Sequence, residues 1–241
     1  MKKGLLVLGG TGFVGKAASK YAISQGLKVF SLSRKGKPEK LEDWQKEVTF
    51  LKGDALSTGV YKDVIKECDA VIHSVGVLLD SKGLIRKKEK YEGSYEHLNR
   101  DTAIAAAKLL EGTGKTFVYI SAEKGLVVAP AYLSTKRQVE EYLKNNADKL
   151  NYSVIRPGFI YNNAPVMRVI ASTINILSSQ DSIARSARME WYATNLVPAR
   201  SLHVDMIGKV AVLAGFKKEF NHHTLNTREI EEAAKKYESI Q

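Results

Sequence analysis

Tyr132 and Lys136 have the side-chain types and the spacing of an acid–base pair. Residues four apart share one face of a helix, so Lys136 could lower the pKa of the Tyr132 phenol and also reach a nicotinamide ribose. A free tyrosine titrates at about pH 10, and such a lowering would make Tyr132 a general acid near neutral pH. Because the YxxxK pattern is common by chance, its meaning depends on where the fold places it.

Ser121 and Asn99 are two further candidates for the same chemistry. Ser121 ends a predicted strand, where its hydroxyl could polarise a substrate carbonyl; the alternative is a plain strand-end hydroxyl. Asn99 lies in a predicted helix after the fourth strand, where its amide could hold a water molecule in a proton relay. The alternative for Asn99 is an ordinary surface position on that helix.

Residues 9–15, GGTGFVG, form a glycine turn between an apolar strand at residues 5–8 and an amphipathic helix that stops before Gly26. In this context Gly9 allows a sharp reversal and Gly12 lets the backbone lie against a pyrophosphate. Gly15 lets the helix pack closely on the strand. The N-terminal amides of the helix would face the phosphates. The turn therefore predicts dinucleotide binding.

Ser33 and Arg34 stand at the end of the second predicted strand, where an NAD site usually has an acidic residue. A guanidinium there can grip a 2′-phosphate, which a carboxylate would repel. The sequence thus favours NADP(H) over NAD(H), the alternative being a solvated turn. Asp54, after the third strand, is expected either to contact adenine or to cap the following helix.

The rest of the chain alternates strands and helices, which predicts an α/β fold with a Rossmann-type doubly wound parallel sheet. We expect helices on both faces and a small C-terminal lobe. Residues 1–241 are interpreted as one NAD(P)-binding domain, with a core over about 1–160, a lobe over about 161–200 and a closing helix, strand and helix over 201–241. The predicted helices include 57–67, 95–110, 130–149, 164–179 and 203–216, with Thr227 as a candidate cap of the last one.

The formal charge of +11, from 37 basic and 26 acidic residues, suits an anionic cofactor, an anionic membrane surface or nucleic acid. Nucleic acid is not expected, because no recognition module is present. The basic residues of 80–95 indicate a solvated loop or a contact with an anionic substrate or lipid headgroup. The helix at 164–179 indicates lobe packing or a membrane or partner surface.

Cys68 is the only cysteine, which excludes an internal disulfide and favours a reducing compartment. We interpret it as a small buried residue and expect no metal site. No apolar run approaches the roughly 18 residues of a membrane span. Only residues 1–3 precede the first predicted strand, so no targeting segment is expected in the sequence as given.

These motifs resemble the short-chain dehydrogenase/reductase superfamily, and the GxxGxxG spacing is that of its extended and atypical branches. The resemblance is carried by residues 9–15, by the set Ser121, Tyr132 and Lys136, and by Arg156-Pro157-Gly158 after the sixth strand. Residues 73–79, 119–125, 134–137 and 156–159 resemble a narrower group, the mitochondrial atypical reductases associated with coenzyme Q biosynthesis in fungi. That group is related to the nucleotide-binding accessory subunit of respiratory complex I.

The resemblance implies a location on the matrix side of the mitochondrial inner membrane, with a cytoplasmic one as the alternative. It implies catalysis by Ser121, Tyr132, Lys136 and Asn99. The expected cofactor-binding residues are Gly9, Thr11, Gly12, Phe13, Val14, Gly15, Ser33, Arg34, Asp54, His73, Ser74, Val75, Gly76, Tyr132, Lys136, Pro157 and Gly158.

Three functional hypotheses follow. The first is an NADPH-dependent oxidoreductase acting on a ketone or on a quinone-like or other lipid-like intermediate, with a role in coenzyme Q biosynthesis. The second is a non-catalytic NADPH-binding accessory subunit of an inner-membrane respiratory complex, stabilised by its nucleotide. A redox-sensing regulator is a third, less favoured reading. The segments between Ser121 and Tyr132 and after residue 160 are short for the superfamily, and they leave the substrate undefined.

Overall fold

The computed structural model describes residues 2–76, 94–124, 130–165, 167–168, 171–173 and 200–240. Nine strands lie in these ranges: β1 Gly4–Leu8, β2 Lys28–Ser33, β3 Val48–Lys52, β4 Ala70–His73, β5 Thr116–Ile120, β6 Asn151–Ile155, β7 Ile160–Tyr161, β8 Leu202–His203 and β9 His223–Leu225. Seven of them form one sheet in the order β3-β2-β1-β4-β5-β6-β9, and all pairs in it are parallel. β7 and β8 pair separately.

Helices cover both faces of this sheet. Their bounds are α1 Phe13–Ser24, α2 Lys62–Lys66, α3 Thr102–Lys108, α4 Pro130–Asn145, α5 Val204–Phe216 and α6 Thr227–Lys236. A π-helical turn at Glu96–Asp101 leads into α3, and 3₁₀ turns occupy Asp43–Glu47, Thr58–Val60 and Lys218–Phe220. Residues 165, 167–168 and 171–173 are also helical.

The side chains of β1 show how the two layers arise. Leu5 and Val7 pack with α1, α5 and α6, whereas Leu6 and Leu8 pack with α2, α3 and α4 on the other face. A strand buried on both sides must be apolar at every position, and each such leucine stabilises the fold by about 1.5–3 kcal/mol. The prediction of a doubly wound parallel sheet is confirmed.

β1 lies between β2 and β4, with Leu8 paired to Leu32 on one side and to His73 on the other. The chain leaves this centre in opposite directions, and ligands of such sheets bind in the crevice outside the carboxyl ends of the strands at that point. The glycine turn directly follows Leu8 and therefore lies in the crevice.

Two predicted helices are interrupted. The pattern at 57–67 yields a 3₁₀ turn and the short α2, because Tyr61 between them has its side chain fully buried and donates its hydroxyl to Ala55 O at 2.7 Å. The helix predicted at 95–110 begins with the π-helical turn that contains Asn99. π-turns are common at functional sites, but the sequence pattern did not reveal this one.

Other boundaries also differ. The helix predicted to run to residue 149 ends at Asn145, after which Asn146 Nδ2 donates to Tyr142 O and the chain turns. The cap of α6 is Asn226, which accepts hydrogen bonds from the amides of Arg228 and Glu229, so the assignment of Thr227 as the cap was wrong.

Several predictions lie outside the described residues: nearly all of the basic segment at 80–95 and most of the helix at 164–179. Cys68 is buried, as predicted, and burial raises the pKa of its thiol to about 12. Within the ranges given above, no helix combines the length and the apolar character needed to cross a membrane. The same ranges contain no cluster of side chains suited to holding a metal ion.

Candidate functional site

The glycine turn is fixed by its own backbone. The amides of Gly9 and Gly10 both donate to Leu32 O on β2, and Gly12 N donates to Gly9 O at 2.9 Å. Gly9 has a φ of +82°, a conformation that side chains strongly disfavour. A β-carbon on Gly15 would lie 2.2 Å from Gly9 O, so the close approach of α1 to the turn requires glycine there.

The N terminus of α1 opens onto this turn. Its N-cap is Gly12, which offers no capping side chain, and the first helical turn has no acidic residue. The unpaired amides and the positive end of the helix dipole therefore favour an anion at this point. This arrangement fits the diphosphate of a dinucleotide.

A cavity of about 530 Å³ lies along the carboxyl edge of the central strands. Nine of the predicted cofactor-binding residues line it: Gly9, Thr11, Gly12, Ser33, Arg34, Asp54, Ser74, Val75 and Gly76. Six lining residues were absent from that set: Leu32, Lys35, Gly53, Ala55, Leu98 and Thr102. Most of these adjoin a predicted one along the chain, whereas Leu98 and Thr102 come from the turn before α3 and its first residue.

We call the glycine turn with Ser33, Arg34 and Asp54 the phosphate end of the cleft. The Ser33 hydroxyl and Gly36 N are 3.0 Å apart, a hydrogen bond that shapes the loop after β2. Asp54 Oδ1 accepts a hydrogen bond from Leu56 N at 2.8 Å while Asp54 also lines the cavity, so it holds its own loop and faces the ligand space.

Some predicted cofactor residues do not line this cavity. Phe13 is 45% exposed at the start of α1, and Val14 is buried in the core beside it. Pro157 follows β6, where its carbonyl accepts a hydrogen bond from Glu123 N at 2.9 Å, and Gly158 comes next. Their contact with a cofactor stays a prediction.

His73 is fully buried beneath the crevice and does not line the cavity. Its Nε2 lies 3.0 Å from Thr102 Oγ1, and burial, together with the nearby charge of Lys136, lowers its pKa to about 3. A neutral histidine packed against Thr102 supports β4 from below. This placement does not support the prediction that His73 itself contacts the cofactor.

Gly76 lines the cavity and lies next to two of the catalytic candidates. A β-carbon on Gly76 would lie 2.9 Å from Asn99 Oδ1 and 3.2 Å from Lys136 Nζ. The ring of Tyr132 has its centroid 5.8 Å from Lys136 Nζ and stands edge-on to Tyr95, also at 5.8 Å. We call Asn99, Tyr132 and Lys136 the Tyr–Lys end of the cleft.

The electrostatics of the Tyr–Lys end differ from expectation. Burial raises the pKa of Tyr132 to about 12, whereas a lowered value was predicted. Burial also lowers the pKa of Lys136 to about 7, although Glu140 opposes this shift. Lys136 Nζ donates a hydrogen bond to Ile120 O at 2.8 Å, so the strand end holds the amine. Desolvation is the largest cause of both pKa shifts.

The Ser121 hydroxyl is directed away from its predicted role. It donates to Glu140 Oε1 at 2.5 Å, and Glu140 also accepts hydrogen bonds from Arg137 and Arg156. We call Ser121, Arg137, Glu140 and Arg156 the Glu140 clamp. Its hydrogen bonds do not support Ser121 as the group that polarises a substrate carbonyl, and no sequence motif pointed to Glu140.

The family is shown by comparison with known proteins. Residues 9–187 match the family described as NAD(P)H-binding, so the chain belongs to that family. The match confirms the prediction of a nicotinamide dinucleotide as ligand.

The curated proteins related in sequence include one from yeast and one from a plant. One is MIOREX complex component 2 of Saccharomyces cerevisiae, 29% identical over 201 residues that cover 66% of this chain and 73% of that protein. The other is an uncharacterized chloroplastic protein of Arabidopsis thaliana, 27% identical over 243 residues that cover 96% of this chain and 77% of that protein.

The fold also matches solved structures. One example is an oxidoreductase of the short-chain dehydrogenase/reductase family from Burkholderia thailandensis. It has a TM-score of 0.64 and 15% identity, and the match covers 94% of this chain and 91% of that one. The predicted resemblance to this superfamily is confirmed at the level of the fold.

Proposed function

We propose that this protein is an NADP(H)-dependent oxidoreductase that acts on a ketone or quinone-like substrate. The observation that carries the proposal is the continuity of the cleft. The cavity begins at the phosphate end and reaches Gly76, where Asn99 and Lys136 stand within contact distance of one point. A dinucleotide lying along it would present its nicotinamide to Tyr132.

The bound cofactor would supply the hydride, and the protein would supply position and protons. Tyr132 donates its phenol proton to the substrate oxygen as negative charge develops there. Lys136 places a positive charge beside the phenol and would hold the cofactor ribose. Asn99 assists the relay of the proton from solvent. Ser121 has no assigned role in this scheme, because its proton is directed to Glu140.

The pH dependence of turnover follows from Lys136. Its lowered pKa of about 7 means that the amine is charged below that pH and neutral above it. Tyr132, with a pKa of about 12, keeps its proton throughout the working range. Turnover that needs the charged lysine is therefore expected to fall as pH rises through about 7.

The test is the substitution Tyr132→Phe, assayed by NADPH oxidation with a panel of short-chain quinones and aromatic ketones. Loss of a general acid is expected to lower kcat by about 10²- to 10⁴-fold and to leave NADPH affinity nearly unchanged. Tyr142→Phe is the matched control, because Tyr142 lies on the same helix and bonds Glu111 instead. Undiminished turnover in the Tyr132 variant would overturn the role of this residue.

A second candidate is a non-catalytic accessory subunit that NADPH stabilises. It is supported by the raised pKa of Tyr132, by the engagement of Ser121 and by the relative named as a component of the MIOREX complex. In that case NADPH raises the melting temperature of the protein, but the wild type oxidises no NADPH with any member of the panel.

NADP(H) is the preferred cofactor in this proposal. Arg34 and Lys35 line the cavity at the phosphate end, and a neighbouring cavity of about 320 Å³ adds Lys40, together with Lys16, which is paired with Glu42. These cations would attract a 2′-phosphate.

For location we propose an organelle, and more specifically the matrix side of the mitochondrial inner membrane, within a complex involved in coenzyme Q biosynthesis or respiration. The chloroplastic relative and the relative from a named complex support the coarser statement. Organelle fractionation followed by native electrophoresis tests both parts.

A further inference from the structure

Three side chains of α4 bind four consecutive residues at the carboxyl end of β5. The bonds run from Lys136 Nζ to Ile120 O at 2.8 Å, from Ser121 Oγ to Glu140 Oε1 at 2.5 Å, and from Arg137 Nη2 to the carbonyl oxygens of Ala122 and Glu123 at 2.9 and 3.0 Å. This ladder fixes both the rotation and the height of α4 on the sheet. Tyr132 and Lys136 are carried on that helix.

Glu140 connects these bonds between α4 and β5 to Arg156 at the carboxyl end of β6. Its carboxylate, only 8% exposed, accepts from Arg137 Nη1 at 2.6 Å and from both Nε and Nη2 of Arg156. Arg156 N in turn donates to Leu225 O on β9. A charge this deeply buried must be compensated by such partners, and the four side-chain donors around Glu140 supply that compensation.

We propose that Glu140 is a positioning residue that acts through Lys136. Its carboxylate clamps α4 onto β5 and, one helical turn from Lys136, favours the charged form of the amine. The inference rests on the proposed function in taking Lys136 as part of the proton-transfer machinery. It assigns the Glu140 clamp the task of keeping that lysine both in place and charged.

The other groups that face Lys136 do not supply the negative charge that Glu140 supplies. His73 on β4 has a pKa of about 3, and burial raises the pKa of Tyr119 on β5 well above its ordinary value. Tyr132 on α4, which packs against Tyr95 before α3, has a pKa of about 12. His73, Tyr119 and Tyr132 are therefore neutral near neutral pH, whereas the Arg137 cation on α4 is paired with Glu140.

The experiment is a pH titration of Lys136 in the full chain, by NMR of protein labelled at the lysine side chains. The signal is assigned by its absence in Lys136→Met. In the wild type the midpoint is expected near pH 7, and in Glu140→Gln it is expected to fall by at least about half a unit, because an opposite charge nearby has been removed. Glu141→Gln, the exposed neighbour on α4, is the matched control and leaves the midpoint in place.

A second variant addresses the risk that Glu140→Gln does not fold, because two half-buried arginines are left without their carboxylate. The double variant Glu140→Gln/Arg156→Gln removes both members of one pair, so less uncompensated charge remains. A smaller fall of the midpoint is expected than in Glu140→Gln, because the loss of the Arg156 cation offsets part of the loss of the carboxylate. Glu140→Asp, which restores the carboxylate, is expected to return the midpoint toward the wild-type value.

An unchanged Lys136 midpoint in both glutamine variants would overturn the proposal and leave Glu140 with a structural role only. The titration needs neither nucleotide nor turnover. Failure of the proposed function would appear separately, as a wild type that binds no NADPH or oxidises none with the carbonyl panel.

Discussion

The two ends of the cleft are held together in different ways. At the phosphate end the ligand space is shaped by backbone: glycine φ angles, turn hydrogen bonds and the N terminus of α1. The Tyr–Lys end and the Glu140 clamp beside it are instead held by side chains of α4, which bind the Ile120 carbonyl and the side chains of Ser121 and Arg156 just after β5 and β6. The phosphate end depends on residues whose side chains are absent or small. The Tyr–Lys end depends on large polar or charged side chains.

This difference predicts opposite responses to substitution. Adding atoms should damage the phosphate end, because a Cβ would lie only 2.3 Å from the nearest atom at Gly10 and 2.2 Å at Gly15. Removing atoms should damage the Tyr–Lys end, because each buried polar group there needs a hydrogen-bonding partner to offset the cost of its removal from water. Substitutions of both kinds can therefore show whether the comparison holds.

The largest effect is expected for Gly15→Ala. The new Cβ would lie 2.2 Å from Gly9 O and 2.7 Å from Ser74 Oγ, so the turn itself must shift. We expect the free energy of unfolding to fall by about 3 kcal/mol and NADPH affinity to fall by about 100-fold. Denaturant titration and NADPH fluorescence measure the two quantities.

Gly59→Ala is the control, because a Cβ at that position meets no atom within 4 Å. Equal losses in the two variants would mean that the alanine side chain is harmful for general reasons. Unchanged nucleotide affinity in Gly15→Ala would contradict the view that the turn is the phosphate site.

A smaller effect is expected for Ser121→Ala in the Glu140 clamp. The substitution removes one donor from the Glu140 carboxylate, and a buried hydrogen bond to a charged group contributes about 1.5–3 kcal/mol. We expect stability to fall by about 2 kcal/mol, with kcat changed by less than about threefold.

Ser134→Ala, an exposed position on α4, serves as the control for that substitution. A large drop in kcat with an unchanged free energy of unfolding would contradict this structural role. It would return Ser121 to the substrate-polarising role that the sequence motif first suggested.

The sequence was sufficient for the features that depend on local pattern. The glycine turn, α1 and the end of β2 lie where residues 9–15 and Ser33 predicted them, because strand periodicity and glycine positions are properties of short segments. The parallel sheet followed from the alternation of those segments.

The sequence was not sufficient where distant residues decide the outcome. Tyr132 and Lys136 were recognised as a pair, but the direction of the Tyr132 pKa shift was wrong, because burial depends on what packs above α4. Ser121 was recognised by position, but its partner Glu140 and the two arginines lie on other elements. The π-turn that carries Asn99 likewise has no signal in helix periodicity.

The smallest effect is expected at Arg34, and it separates charge from shape at the phosphate end. Arg34 is exposed and lines the cavity, and it forms no hydrogen bond or ion pair within the described part of the chain. Arg34→Ala is expected to weaken NADPH binding by about fivefold to tenfold, the value of one solvent-exposed charged contact, and to leave NADH binding unchanged. Fluorescence titration with both nucleotides measures this difference.

Lys149→Ala, an exposed lysine at the opposite edge of the sheet, controls for general charge. If Arg34→Ala weakens both nucleotides equally, Arg34 does not contact a 2′-phosphate and the preference for NADP(H) loses its main support. If only NADPH is affected, the phosphate end combines a close-packed backbone turn with an exposed cation, Arg34, that contributes to cofactor selection. In that case its charge contributes to selectivity, whereas at the Tyr–Lys end buried charge contributes to position.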